Sequence, residues 1–149
     1  MAFAALQQAG TPVDSVRLTI DVPQTTTVYV ARHQTVMAVI HVLRNAYESF
    51  PLSGKSSRHV SITAKPAEDD TISLQVADNG PGIHPDDLPV FREFRPRRNT
   101  KKRNSTGFGL PTASHYVHLQ GGRLTLDGAP GQGTTVTLYL PISGQDDDA

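Results

Sequence analysis

Four segments of the chain alternate apolar and polar residues with a period of two, and this pattern constrains the fold more than any other feature. Such alternation predicts β-strands with one buried and one solvated face. The segments cover residues 16–22, 60–64, 72–76 and 136–140, with shorter candidates at 28–30 and 124–126. The polar residues 66–70 predict a turn that pairs its two flanking strands as a hairpin. A largely antiparallel sheet is therefore expected.

Two further segments show the period of an α-helix. Between residues 34 and 50 the apolar side chains form one stripe, made of Val36, Ile40, Leu43, Tyr47 and Phe50. A second helix is predicted from about residue 110 to residue 119, where two glycines follow. Helices that cover the single apolar face of such a sheet produce an α/β (α+β) two-layer sandwich.

Charge and composition limit the kinds of molecule that the domain is expected to bind. The 14 Lys and Arg residues balance 14 Asp and Glu residues, so no attraction of the whole domain to nucleic acid or to an anionic membrane is expected. Seven of the basic residues lie between Arg92 and Arg103, inside a stretch, residues 91–106, that shows neither period. We predict a mobile loop there, and the rival interpretation is a nucleic-acid patch. The chain has no cysteine, which excludes disulfides and thiolate-bound zinc.

The length of 149 residues predicts one domain, residues 15–142, between an N-terminal stub or linker at 1–14 and an acidic tail at 143–149. The longest apolar run, residues 36–43, is interrupted by His41 and is too short to span a bilayer. No signal-peptide pattern opens the chain. A cytoplasmic domain without direct membrane contact is expected, whether or not a longer protein that contains it is anchored in a membrane.

Three polar residues lie on one flank of the first predicted helix, away from its apolar stripe. His41, Asn45 and Glu48 occupy positions i, i+4 and i+7. By itself this pattern is typical of a solvated helix face, so its meaning depends on the motifs that follow.

Three glycine-rich motifs follow, and each also has an ordinary structural explanation. Residues 78–83, Asp-Asn-Gly-Pro-Gly-Ile, suit a turn after a strand, or a close approach of backbone to a flat ligand whose exocyclic amine bonds to Asp78. Residues 105–110 suit a hinge and helix cap, or a phosphate at a helix N-terminus. Residues 131–134 alone predict a hairpin turn.

In this order the motifs resemble the GHKL, or Bergerat-fold, ATPases and, among them, the catalytic domains of sensor histidine kinases. The matching residues are 43–46, 78–83, 91–94, 100–101, 107–110 and 131–135, within a span of about residues 17–141. The resemblance implies a Bergerat fold, a flexible ATP lid at about residues 91–106, and ATP and Mg²⁺ as cofactors.

The resemblance also implies roles for single residues. Asn45 would hold Mg²⁺ beside the phosphates, Asp78 would recognise the adenine amino group, and Thr134 would support the adenine. Gly80 and Gly82 would permit close approach of the nucleotide.

In the lid, Gly107 and Gly109 would allow folding over the phosphates, and Lys101 or Lys102 would reach the γ-phosphate. The other nucleotide contacts that the resemblance implies are Ile83, Phe94, Phe108 and Leu110. The implied catalytic residues are Asn45, Lys101, His41 and Glu48.

Three positions depart from the family pattern. His41 stands where histidine kinases usually have Asn and where gyrase-like, mismatch-repair and anti-sigma relatives have a catalytic Glu. Glu48 stands where many kinases have Lys, and Ser105 replaces the first glycine of its motif. The His41 departure argues against a water-activating hydrolase of the gyrase type.

The function implied by the resemblance is transfer of the ATP γ-phosphate to a histidine on a separate segment, because none of the six histidines is followed by Glu or Asp. The implied partners are a phosphoacceptor and dimerisation segment of the same kinase and a downstream response regulator. The alternative is a GHKL switch or anti-sigma-like module that binds ATP and a protein partner without phosphorylating histidine. Two weaker candidates are a P-loop-like run at 53–56, which lacks the first glycine, and a His115–His118 pair, which lacks a third ligand.

Overall fold

The computed structural model describes residues 16–49, 57–94 and 109–143. Its strands are β1 Arg17–Asp21, β2 His59–Ala67, β3 Thr71–Asp78, β4 Arg123–Ala129 and β5 Gly133–Pro141. They form one sheet in the order β1-β2-β3-β5-β4. The β1–β2 pair is parallel and the other pairs are antiparallel, which confirms a mixed, mostly antiparallel sheet.

Three helices accompany these strands in the described ranges: α1 Arg32–Ser49, α2 Leu88–Phe91 and α3 Gly109–His118. The two longer helices begin within two residues of the predicted positions. The short helix α2, with a proline in its first turn, was not predicted, because one turn is too short to show a helical period. No helix in these ranges is long and apolar enough to cross a membrane.

The parallel pairing of β1 follows from the position of α1 in the chain. Antiparallel neighbours can be joined by a tight turn, whereas parallel neighbours need a long crossover. Helix α1 lies between β1 and β2 in sequence and provides that crossover. The hairpin predicted between β2 and β3 is present, with Ala67 opposite Thr71.

The hydrophobic core lies between one face of the sheet and the helices α1 and α3. The strands contribute alternate residues to it, namely Val60, Ile62, Val76, Leu124, Leu126, Val136, Leu138 and Leu140. Helix α1 contributes small residues such as Ala38 and Ala46 beside Leu43 and Tyr47. This arrangement confirms the expected two-layer sandwich. Val36 of the predicted stripe is only half-buried.

The predicted short strand at residues 28–30 is wrong. These residues form no strand, although Tyr29 N–H donates to the Pro141 carbonyl (2.7 Å) and Val28 and Val30 pack against the core. The ladder between β4 and β5 ends at Tyr139, and among the described residues the Tyr29 bond to Pro141 beyond it is a single backbone bond that does not continue as a ladder.

Candidate functional site

Asp78 and Thr134 are brought together by the pairing of β3 with β5. They are cross-strand partners although 56 residues separate them in sequence. Asp78 Oδ1 accepts hydrogen bonds from the backbone N–H groups of Gly80 (2.8 Å) and Thr134 (3.3 Å). Two backbone donors therefore fix the direction of the carboxylate that the sequence predicts to read the adenine amine.

The two glycine-rich loops on either side of this pair pack backbone against backbone. Gly131 N–H donates to the Pro81 carbonyl (2.9 Å). Gly82 has φ +77°, and a Cβ there would lie 1.8 Å from the Ala129 carbonyl oxygen. Gly133 has φ +83°, and a Cβ there would lie 1.8 Å from the Asp78 carbonyl oxygen. Protein backbone therefore lies close enough to Gly82 to require a glycine there. The sequence prediction explained this glycine only by the close approach of a nucleotide.

Ser49, the last residue of α1, connects the Asn45 helix to the Asp78 loop. Its hydroxyl donates to the Ala46 carbonyl (2.7 Å) and lies 2.8 Å from the point that a Cβ on Gly80 would occupy. Asp78 Oδ1 lies 2.9 Å from the same point. Gly80 thus fits into a gap between a helix end and the carboxylate. This position of Ser49 was not predicted, since a serine at a helix end has many roles.

Asn79 is a second residue whose role was not predicted, and its hydrogen bonds within the described ranges are with backbone atoms. Its Oδ1 accepts from His59 N–H (2.7 Å), its Nδ2 donates to the Ser57 carbonyl (2.9 Å), and its N–H donates to the His59 carbonyl (3.1 Å). Asn79 therefore ties the Asp78 loop to the start of β2. The preference of Asn for side-chain bonds to backbone in turns was the available signal.

His41, Asn45 and Glu48 lie along one side of α1, and all three are half-buried. Burial, with a smaller contribution from the nearby Arg44 guanidinium, lowers the pKa of His41 below its ordinary value of 6.5. The carbonyl oxygen of His41 lies 3.8 Å from the Cβ position of Gly109, the first residue of α3. The helix that bears Asn45 therefore meets the N-terminus of the helix predicted to face a phosphate.

The apolar residues that were predicted to contact the nucleotide differ in their burial. Leu110 is buried in the hydrophobic core, so its side chain serves packing between α3 and the sheet. Ile83 and Phe94 are partly buried against the same core. Phe94 has φ +51°, a left-handed conformation that is uncommon outside glycine.

Arg92, which the sequence analysis counted among the lid cations, is bonded to β4. Its Nε donates to the Leu126 carbonyl (3.0 Å), and its Nη2 lies 3.4 Å from Asp127 Oδ1. These contacts hold the end of α2 against the edge of the sheet. Arg92 and Leu126 are 34 residues apart in sequence, so this role becomes visible only in the folded structure, where β4 lies beside Arg92.

Several predicted site residues lie outside the part of the chain that the structure describes. They are Lys101, Lys102, Gly107 and Phe108, together with Ser105 and most of the predicted lid. Within the described ranges, no group of three or more His, Cys, Asp or Glu residues is placed to hold a metal ion.

Known proteins that are similar to this chain include sensor kinases. The chain is 26% identical over 118 residues to a probable C4-dicarboxylate sensor kinase of Bacillus subtilis (strain 168), covering 79% of this chain and 22% of that protein. It is 29% identical over 143 residues to the sensor protein FixL of Bradyrhizobium diazoefficiens, covering 95% of this chain and 27% of that protein. The chain thus spans about a quarter of the length of these relatives.

Solved structures confirm the Bergerat-type fold. The mycobacterial sensor histidine kinase MprB superposes with a TM-score of 0.71 at 23% identity, over 94% of this chain and 91% of that chain. Full-length ShkA in complex with AMPPNP superposes with a TM-score of 0.74 at 18% identity, over 99% of this chain and 31% of that chain. The family model of histidine kinase-, DNA gyrase B- and HSP90-like ATPases matches residues 31–144, and the chain therefore belongs to this ATPase family.

Proposed function

We propose that this chain is the cytoplasmic, ATP-binding catalytic domain of a two-component sensor histidine kinase, which transfers the γ-phosphoryl group of ATP to a histidine on a separate segment. The observation that carries the proposal is the Asp78 carboxylate, fixed by the N–H groups of Gly80 and Thr134. The names of the curated relatives support the same activity.

The fixed carboxylate suits adenine in particular. The exocyclic amine of adenine is a hydrogen-bond donor, whereas guanine carries an acceptor oxygen at the same ring position. A carboxylate accepts hydrogen bonds and repels an acceptor. Asp78 therefore favours ATP over GTP, and Thr134, whose backbone orients Asp78, supports the same end of the nucleotide.

The phosphates of ATP extend from this pocket toward the N-terminus of α3. Helix N-termini present unbonded N–H groups and a positive dipole end. Asn45 lies on the helix that meets α3 at Gly109, and its amide oxygen is a hard ligand of the type that Mg²⁺ prefers. When bound, Mg²⁺ would neutralise negative charge on the phosphates. In this proposal Lys101 or Lys102 adds positive charge at the γ-phosphate.

The acceptor histidine and the downstream partner belong to other segments or proteins in this proposal. The chain spans about a quarter of its curated relatives, which leaves ample sequence in such proteins for a phosphoacceptor and dimerisation segment. The phosphoryl group would then pass to a response regulator.

A transfer assay tests the proposal. The chain is incubated with γ-labelled ATP, Mg²⁺ and the phosphoacceptor segment of the longer protein or of a related sensor kinase. We expect acid-labile label on the acceptor histidine and none on the chain itself. Asn45→Ala should reduce the transfer rate at least about a hundredfold, because the metal is misplaced.

The matched control is Gln75→Ala, which removes an amide from the sheet face opposite the helices and should leave transfer unchanged. Tight ATP binding without transfer to any cognate acceptor would instead favour the switch or anti-sigma-like module.

A further inference from the structure

We propose that His41 and Asn45 form a mixed nitrogen and oxygen metal site, so that the nucleotide complex of this domain prefers Mn²⁺ to Mg²⁺. This inference rests on the proposed ATP-binding function and adds the choice of metal ion to it. It assigns His41, the departure from the family pattern, a role as a ligand.

Helix geometry places the two side chains together. His41 and Asn45 are one turn apart in the continuous helix α1, about 6 Å along its axis, and share one face. Residues at this spacing can bind one ion jointly, as helical metal sites with two ligands at i and i+4 do.

The surroundings of His41 place that face beside the expected phosphates. The His41 carbonyl oxygen lies 3.8 Å from the Cβ position at Gly109, so this turn of α1 borders the N-terminus of α3. The imidazole is half-buried, and within the described ranges its ring nitrogens have no hydrogen-bond or ion-pair partner. A half-buried ring without a protein partner at this position is suited to bind a ligand.

The donor types decide which ion is preferred. Mg²⁺ binds oxygen ligands and gains little from nitrogen. Imidazole nitrogen favours transition-metal ions, and Mn²⁺ also binds the oxygen of phosphates and amides. A pair made of one imidazole and one amide beside a triphosphate therefore discriminates toward Mn²⁺, whereas two asparagines would not.

Calorimetry tests the preference. ATP is titrated into the parent chain in Mg²⁺ and in Mn²⁺, and the same is done for His41→Asn and for His118→Asn. His118 is exposed on α3 and controls for adventitious binding to surface imidazoles. We expect the parent to bind ATP at least about tenfold more tightly with Mn²⁺ than with Mg²⁺, a difference of about 1.4 kcal/mol. The preference should disappear in His41→Asn and persist in His118→Asn.

Pulsed electron paramagnetic resonance of bound Mn²⁺ provides a readout that does not depend on activity. With ATP labelled with ¹⁵N in its base, a ¹⁴N modulation typical of imidazole should appear in the parent and in His118→Asn, and be absent from His41→Asn. Circular dichroism before each titration checks that the variants are folded.

The outcomes separate the two proposals. Equal ATP affinities in the two metals, or no imidazole signal from a Mn²⁺–ATP complex that does form, would overturn the role of His41 and leave ATP binding intact. If the folded parent and His41→Asn bind ATP in neither metal and bind no ADP without metal, the nucleotide-binding function itself fails, and this inference with it.

Discussion

Asp78 is the residue on which the nucleotide proposal depends most directly. Its carboxylate is held by two backbone donors, and its own carbonyl oxygen fills the space that a side chain on Gly133 would need. The same residue therefore links the proposed recognition of the base to the packing of the two loops. A substitution that keeps its shape can separate these two roles.

Asp78→Asn is such a substitution. The amide keeps an oxygen for the two backbone donors but loses the negative charge, and hydrogen bonds to charged groups contribute roughly 1.5–3 kcal/mol. We expect the affinity for ATP and ADP to fall by about ten- to a hundredfold, measured by calorimetry. Asp127→Asn, at an exposed carboxylate on β4, is the control and should change little. Equal binding of ATP and GTP by the parent would contradict an adenine pocket.

His41 predicts a pH dependence of stability. Its pKa is lowered in the folded state, so the unfolded chain binds a proton more readily as the pH falls through 6.5. The folding free energy contributed by neutral His41 is fully present above that pH, and it decreases with acidification until the lowered folded-state pKa is reached. Urea unfolding between about pH 5 and 8 should therefore show a smaller loss of stability for His41→Asn than for the parent. An identical pH slope in both proteins would be evidence against a perturbed His41.

Single residues were predictable from the sequence to different degrees. Asp78 and Thr134 belong to motifs, and the structure pairs them. The roles of Asn79 and Arg92 were not predicted because both bond to backbone atoms of another segment, and that of Ser49 because it depends on the approach of Gly80 to the end of α1. Contacts of this kind leave no local pattern, since they depend on which loops and strands become neighbours after folding.

At the scale of elements, the loop from β3 and the loop before β5 behave as one unit. The sequence predicts each loop as a separate turn. In the structure, however, glycines of each loop lie so close to backbone atoms beside the other loop that a Cβ would not fit. Periodicity located α1, α3 and the strands β1, β2, β3 and β5 to within a few residues. It could not show that β1 would pair in parallel or that residues 28–30 would stay outside the sheet, because both depend on how the strands pair after folding.

Gly133→Ala tests this coupling, with Gly131→Ala as a matched control. Both glycines have positive φ, so each alanine costs about 1–2 kcal/mol of unfolding free energy through backbone strain. At Gly131 no atom of the described residues lies within 4 Å of the new methyl, whereas at Gly133 the methyl meets the Asp78 carbonyl at 1.8 Å. Gly133→Ala should therefore lose about 1–3 kcal/mol more in urea unfolding and also weaken ATP binding. Equal losses in the two variants would show that the loops adjust independently.

For the whole molecule, the balance of charge predicts indifference to nucleic acid. Lys and Arg residues equal Asp and Glu residues in number, so the cluster between Arg92 and Arg103 is offset elsewhere, and Arg92 itself is bonded to β4. We expect no submicromolar, salt-sensitive binding of duplex DNA or RNA in a fluorescence anisotropy titration. Tight binding that weakens steeply with salt would instead support the nucleic-acid interpretation of that cluster.

The central place of β5 has a consequence for biosynthesis. This strand follows the other four in sequence, yet it is inserted between β3 and β4 and supplies the N–H of Thr134 to Asp78. A nascent chain on the ribosome that has exposed β1 to β4 therefore still lacks the proposed nucleotide site, and the edges of β3 and β4 that pair with β5 stay open until that strand emerges. On the proposed function, ATP therefore stabilises only a domain in which β5 is already in place.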